Sequence, residues 1–203
     1  MTMRPLADLT VRDFCDALAA HRPTPGGGAT SAIVLAQSAS LGSMVIAYSK
    51  DKSKFAPHLP RLERIDQLLD ASRREALLLA DRDAAAYEAL SALWKLPAAD
   101  RAADPTWLGA VEEAIAAPTA IADLALATQA ALASLREITS KQLASDLRIA
   151  LILAAAAVHS ALLNVEVNIP LRADAAQREE GLRSIERRRA ACDGVHAAAT
   201  PTP

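Results

Sequence analysis

Residues 23–49, PTPGGGATSAIVLAQSASLGSMVIAYS, hold no charged side chain. A run of that length is enough to cross a bilayer. Gly, Ala, Ser and Thr outnumber the large apolar residues in it, however, and Gln37 interrupts it. That composition favours a helix packed by other helices over one bathed in lipid, so no membrane association is expected. The helix should occupy about residues 29–49. Being small or apolar on every side, it needs cover on every side. A second segment has the same character: IALILAAAAVHSALLNV predicts an enclosed helix over about residues 146–167, ended by Pro170.

Amphipathic helices elsewhere can supply that cover. A first helix is expected over residues 8–20, capped by Thr10 with Asp13 three residues on. Residues 21–28 break it, and a basic connection spans residues 50–60. A third helix follows over about residues 61–95, where Ile65, Leu68 and Leu69, then Leu77 and Leu78, recur at helical spacing. Residues 98–105 read as a polar loop. A fourth helix starts after Pro105, with a kink or a new start at Pro118. Residues 140–146 form another break, in which Ser145 or Asp146 can cap the next helix. A charged helix over about residues 174–193 precedes a frayed tail, about 195–203. Hydrophobic residues make up 52% of the chain and aromatics only 3%, so alanine lets helix axes approach closely. The expected architecture is one all-α domain over residues 1–203, a helical bundle with two buried central helices, paired as a homodimer.

A formal net charge of −2 excludes the basic excess of a nucleic-acid binder. The dense cationic run, Arg187, Arg188 and Arg189, sits among glutamates and reads as a solvated helix face. Cys15 and Cys192 lie far apart and fit neither a metal spacing nor a disulfide framework, so no metal and a reducing cytoplasm are expected. No apolar core follows Arg4, as a secretory leader would require.

Several local signals have two readings. Gly26, Gly27 and Gly28 precede a helix, where free N–H groups and the dipole favour an anion and missing side chains admit a ligand. A tight turn at positive φ would also use glycine there. Lys50, Lys52 and Lys54 near the far end of that helix suit either a carboxylate-bearing ligand or the helix C-terminus. Asp81 reads as surface. Asp83 shares a face with Tyr87, four residues on, and as a carboxylate among alanines suits acid–base work or plain solvation. His159 on the second apolar helix reads as a satisfied core histidine more readily than as a catalyst. Asn164 and Asn168, also four apart, must find partners if buried: each other, the backbone or a ligand.

Four segments in order resemble the formiminotransferase-cyclodeaminase C-terminal domain family, which includes stand-alone methenyltetrahydrofolate cyclohydrolases. They are FCDALAAHRPTPGGGATSAIVLAQSASLGSMV, KDKSKF, DRDAAAYEALSALWKLP and SDLRIALILAAAAVHSALLNVEVNI. The resemblance spans roughly residues 14–170 and implies an all-helical dimer acting on one-carbon derivatives of tetrahydrofolate, with no metal and no cofactor beyond the folate. It implies hydrolysis of 5,10-methenyltetrahydrofolate to 10-formyltetrahydrofolate, a chain without a transferase having less use for the cyclodeaminase reaction that releases ammonia. A further alternative is a family member re-purposed to bind a folate-like or other anion without catalysis. Asp83 and Asp146 are implied as the acid–base or pterin-binding carboxylates. Lys52 and Lys54 would meet the glutamate tail, and Gly26, Gly27, Gly28 and Asn164 would line the pocket. The chain departs from the family pattern at Ser53 and Phe55, where lysine and tyrosine are usual, and at Arg148, where glycine is usual.

Overall fold

A computed structural model of the chain describes residues 4–199. Seven α-helices and no strand occur among the described residues: α1 (Val11–Ala19), α2 (Gly27–Lys50), α3 (Leu59–Leu93), α4 (Ala98–Ala103), α5 (Trp107–Ala133), α6 (Ala144–Asn168) and α7 (Ala175–Ala199). Short 3₁₀ segments precede α1, α3 and α6 and follow α6. The all-α expectation holds.

The bundle is a ring of four long helices. α2 packs on α3 and α6, and α5 packs on the same two from the opposite side. α7 lies across α5 and α6. Small side chains let α2 approach its neighbours. Ser38 donates to the Ala150 carbonyl of α6 at 2.7 Å, and the Ser140 N–H donates to Ser49 at 3.0 Å. A β-carbon on Gly42 would run into Leu132 of α5 and come within 2.9 Å of Leu69 of α3.

Helix boundaries follow local chemistry, with several departures from the expected ones. Thr10 caps α1 by accepting the Asp13 N–H at 3.1 Å. Asp174 performs the same role for α7, accepting the Gln177 N–H at 2.7 Å. α2 begins at Gly27, two residues earlier than expected, with Gly26 as its extended N-cap and no glycine at positive φ among those described. The expected polar loop after Pro97 is partly the short helix α4. α6 begins at Ala144 with Leu143 at its N-cap, so Ser145 and Asp146 lie inside the first turn and cap nothing. α7 runs on to Ala199, through residues expected to fray, and residues 200–203 lie outside the described part.

Two corrections concern the core. First, α5 is as central as α2, burying Ile121, Ala122, Ala125, Thr128, Gln129 and Leu132. Second, α6 is not enclosed: Ile149, Ile152, Leu163 and Val167 are exposed along one side. Three segments, Gly27–Lys50, Trp107–Ala133 and Lys141–Leu171, are long and apolar enough to cross a membrane, while 56%, 50% and 44% of their apolar windows are buried inside the bundle.

Pro118 does not restart α5; the helix runs through it. A proline has no N–H for the carbonyl four residues earlier, here that of Ala114. Asn168 of α6 fills the gap, its Nδ2 donating to Ala114 O at 2.9 Å. Asn168→Ala should therefore destabilise the fold by about 1–3 kcal/mol, as an orphaned buried carbonyl does. In a Pro118→Ala background, where a backbone N–H replaces the amide, the loss should shrink. A double-mutant cycle by urea unfolding reads the coupling; purely additive effects would refute the repair.

Candidate active site

At one end of the bundle the start of α2, the later part of α3 and the end of α6 enclose a cavity of about 410 Å³. Gly26, Gly27 and Gly28 form one wall, Asp83 and Tyr87 of α3 with Trp94 at its C-cap a second, and Asn164, Val167 and Asn168 of α6 a third.

Gly28 is required here for proximity rather than for φ. A β-carbon on it would occupy the space of the Asp83 carboxylate. With none, Asp83 reaches the first turn of α2 and accepts the Ala29 N–H. Burial pushes this carboxyl up to about 6, against the opposing pull of that backbone bond. Desolvation of the charged form thus outweighs the favourable helix start, and the group is poised to exchange a proton near neutrality.

Tyr87 and Trp94 follow Asp83 on the same face of α3, their rings edge to face with centroids 6.0 Å apart. Together they offer a flat ligand two aromatic surfaces. Trp94 was not picked out from the sequence, although its spacing from Asp83 and Tyr87 is helical. Asn164 donates to Ser160 O at 3.0 Å, and its amide head lies against Gly27, where a β-carbon would be 3.5 Å away. Nearby, the Ser31 and Ser160 hydroxyls meet at 2.8 Å, tying α2 to α6 behind that wall. Both asparagines line the cavity, Asn168 with its amide N–H given to the backbone of α5 and Asn164 with its own given to the backbone of α6.

The other predicted residues lie elsewhere in the chain. Lys52 donates to Ser140 Oγ at 2.7 Å and Gln142 Oε1 at 2.9 Å, near the start of α6. Lys54 stands 4.6 Å over the ring of Phe55. Asp146 is in the first turn of α6, at that same end. The 24 residues of α2 separate this end from the cavity by on the order of 35 Å. Within one chain the structure gathers Gly26, Gly27, Gly28, Asp83 and Asn164, and keeps Lys52, Lys54 and Asp146 apart from them. Asp81 is not free surface, since it accepts the Leu6 N–H at 2.7 Å. His159 is not a core histidine, its side chain being 42% exposed and 3.2 Å from Asp193.

Asp83 has a thermodynamic signature. Its folded pKa is raised, so the native state holds the extra proton and stability falls as pH rises through the window from about 4 to about 6. Asp83→Asn should remove that fall, gaining on the order of 2 kcal/mol over wild type at pH 7 and nothing at pH 4. Urea midpoints across this range check it; parallel curves for the two proteins would be the contrary result.

Residues 10–187 match the family described as formiminotransferase-cyclodeaminase. A methenyltetrahydrofolate cyclohydrolase of Methylorubrum extorquens is 29% identical over 181 residues, 87% of each chain. The formimidoyltransferase-cyclodeaminase of Mus musculus is 29% identical over 169 residues, 81% of this chain but 31% of that longer protein. The crystal structure of a formiminotetrahydrofolate cyclodeaminase from Thermotoga maritima superposes with a TM-score of 0.87 at 27% identity, covering 96% of this chain and 95% of that one. A small-residue helix opened by three glycines, faced by a half-buried carboxylate and two asparagines, is thus set in a chain that belongs to the formiminotransferase-cyclodeaminase family.

Proposed function

We propose that this protein hydrolyses 5,10-methenyltetrahydrofolate to 10-formyltetrahydrofolate, with Asp83 as the acid–base group. The observation that carries the reading is the Asp83 carboxyl itself, raised to about 6 and set in a cavity between glycine backbone, an aromatic pair and the Asn164 amide. Similarity over most of both chains to a cyclohydrolase supports it. The structural match to a cyclodeaminase favours ammonia release from the formimino derivative as the second reading.

The chemistry suits the cavity. The substrate carbon is an amidinium carbon, cationic and electrophilic. An ionised Asp83 attracts that cation and takes a proton from the attacking water as the carbon–oxygen bond forms. The bond from carbon to N5 then breaks and N5 receives the proton, while the second proton of the water leaves as the formyl carbonyl forms. The pterin lies against Tyr87 and Trp94. No metal or further cofactor has a role in these steps.

Among the described residues that line this cavity there is no lysine to meet the glutamate tail. The exposed side of α6 supplies a geometric answer. Ile149, Ile152, Ala156, Ser160 and Leu163 fall along one face, and the pattern is symmetric about Ala156. Two copies packed antiparallel on that face would pair Leu163 with Ile149 of the other copy and bury the apolar stripe. Such a homodimer brings Lys52, Asp146 and Arg148 of one copy toward the Asp83 and Asn164 cavity of the other. Arg148 would add a cation at the mouth.

Loss of the near-ultraviolet absorbance of methenyltetrahydrofolate tests the reaction. Asp83→Asn should lower kcat/KM at least about 100-fold. The wild-type kcat/KM should climb with pH up to about 6 and then level off. No acceleration over buffer, with ammonia released from the formimino derivative, would select the second reading. A thermal shift with tetrahydrofolate alone would indicate a binder. Gly27→Val should keep the fold, since its β-carbon has ordinary contacts, yet raise KM at least about tenfold by filling the cavity. For the dimer, Asp83→Asn and Lys52→Ala subunits mixed and reassembled should recover about one quarter of wild-type activity. A monomer in solution, or no recovery, would refute the shared site and leave the reaction standing.

A further inference from the structure

Away from the folate cavity, three metal-ligating side chains from two helices converge. His159 is on α6, Cys192 and Asp193 are on α7, and one donor atom from each lies within 4.8 Å of the other two. His159 Nε2 and Asp193 Oδ1 are 3.2 Å apart. His159 points away from the cavity, about 140° around α6 from Asn164.

Beneath the cluster sits Gln129 of α5, fully buried. Its Nε2 donates to the Cys192 carbonyl at 3.2 Å, and its Oε1 is buried without a hydrogen-bond partner. Its side chain also lies against the Cys192 thiol and partly offsets the rise that burial imposes there. An exposed histidine–aspartate pair contributes little to stability. Such a pair explains neither the thiol beside it nor a buried carbonyl oxygen with nothing to accept.

One imidazole, one thiol and one carboxylate make the donor set of a borderline metal such as Zn²⁺. A tetrahedral ion about 2.0–2.3 Å from its ligands holds donor atoms about 3.5 Å apart. The His159–Asp193 pair, at 3.2 Å, already has nearly that spacing, and Cys192 needs to close by no more than about 1.3 Å. The support is firm on both sides. Arg188 grips Asp123 of α5 at 2.7 and 2.9 Å, and Arg189 reaches Glu166 of α6 at 2.5 Å, so α7 is already docked where Cys192 faces inward. Cys192 is 0% exposed while His159 and Asp193 face solvent, which leaves an approach for the ion and an open fourth position.

We infer that His159, Cys192 and Asp193 form a Zn²⁺-type site that clamps α7 onto α6, with Gln129 of α5 packed against the thiol from beneath. On binding, the thiol proton passes to solvent as the sulfur–metal bond forms.

The test uses tag-free protein carrying Cys15→Ser, because Cys15 is an exposed thiol outside the cluster. Titration with Co²⁺ should produce a thiolate-to-metal charge-transfer band that saturates at about one equivalent and is displaced by Zn²⁺. Cys192→Ser should abolish the band. His159→Gln and Asp193→Asn, at exposed positions, should fold normally in chelator yet bind Zn²⁺ at least about tenfold more weakly. At equal concentration Zn²⁺ should raise the Tm of the parent more than that of these two variants. No charge-transfer band, or undiminished Zn²⁺ affinity in His159→Gln, would overturn the assignment and leave an ordinary ion pair.

Discussion

A β-carbon at Gly28 would fill the space of the Asp83 carboxylate, and one at Gly42 would collide with Leu132. Both glycines belong to α2, and both act by letting a neighbour come closer than any side chain would permit. The ring of four helices closes around α2 because its residues are small. The cavity exists at its start because α3 can press a carboxylate against its first turn. Burial there, rather than a neighbouring charge, raises Asp83. Packing and chemistry therefore share one cause, a shortage of side-chain volume on a single helix.

Much of this was legible in the sequence. The uncharged run and the alanine-rich segment marked α2 and α6, and Thr10 marked a helix start that its hydroxyl does cap. The glycines, Asp83 and Asn164 do assemble around one cavity. What stayed hidden depended on contacts between distant segments. Pro118 signals a break locally, and the Asn168 amide arriving from α6 bonds the carbonyl that the proline cannot serve. Asp146 and the lysines share an end of the bundle remote from Asp83, because antiparallel helices place the end of α2 beside the start of α6. A resemblance lists residues without saying where the fold puts them.

Two histidine and cysteine positions make the same point from the other side. Cys192 and His159 are 33 positions apart in sequence, and no spacing rule links them. They meet because α7 folds back over α5 and α6, held by arginines whose charge alternation looked like plain solvation. The cationic run Arg187, Arg188 and Arg189 is thus divided in role. Arg187 pairs along its own helix with Glu180, while its two neighbours reach across to other helices.

The small residues of α2 also matter before the protein is folded. A ribosome releases this helix well before α5 and α6 exist to cover it, and its mean hydropathy of 1.5 over a spanning length is what membrane-insertion machinery recognises. Ser31, Ser38 and Ser49, each bonded in the finished bundle, are at that moment bare hydroxyls that make the segment less welcome in lipid. The side chains that later fasten the helices together thus also lower the hydropathy of the bare segment before its partners are made.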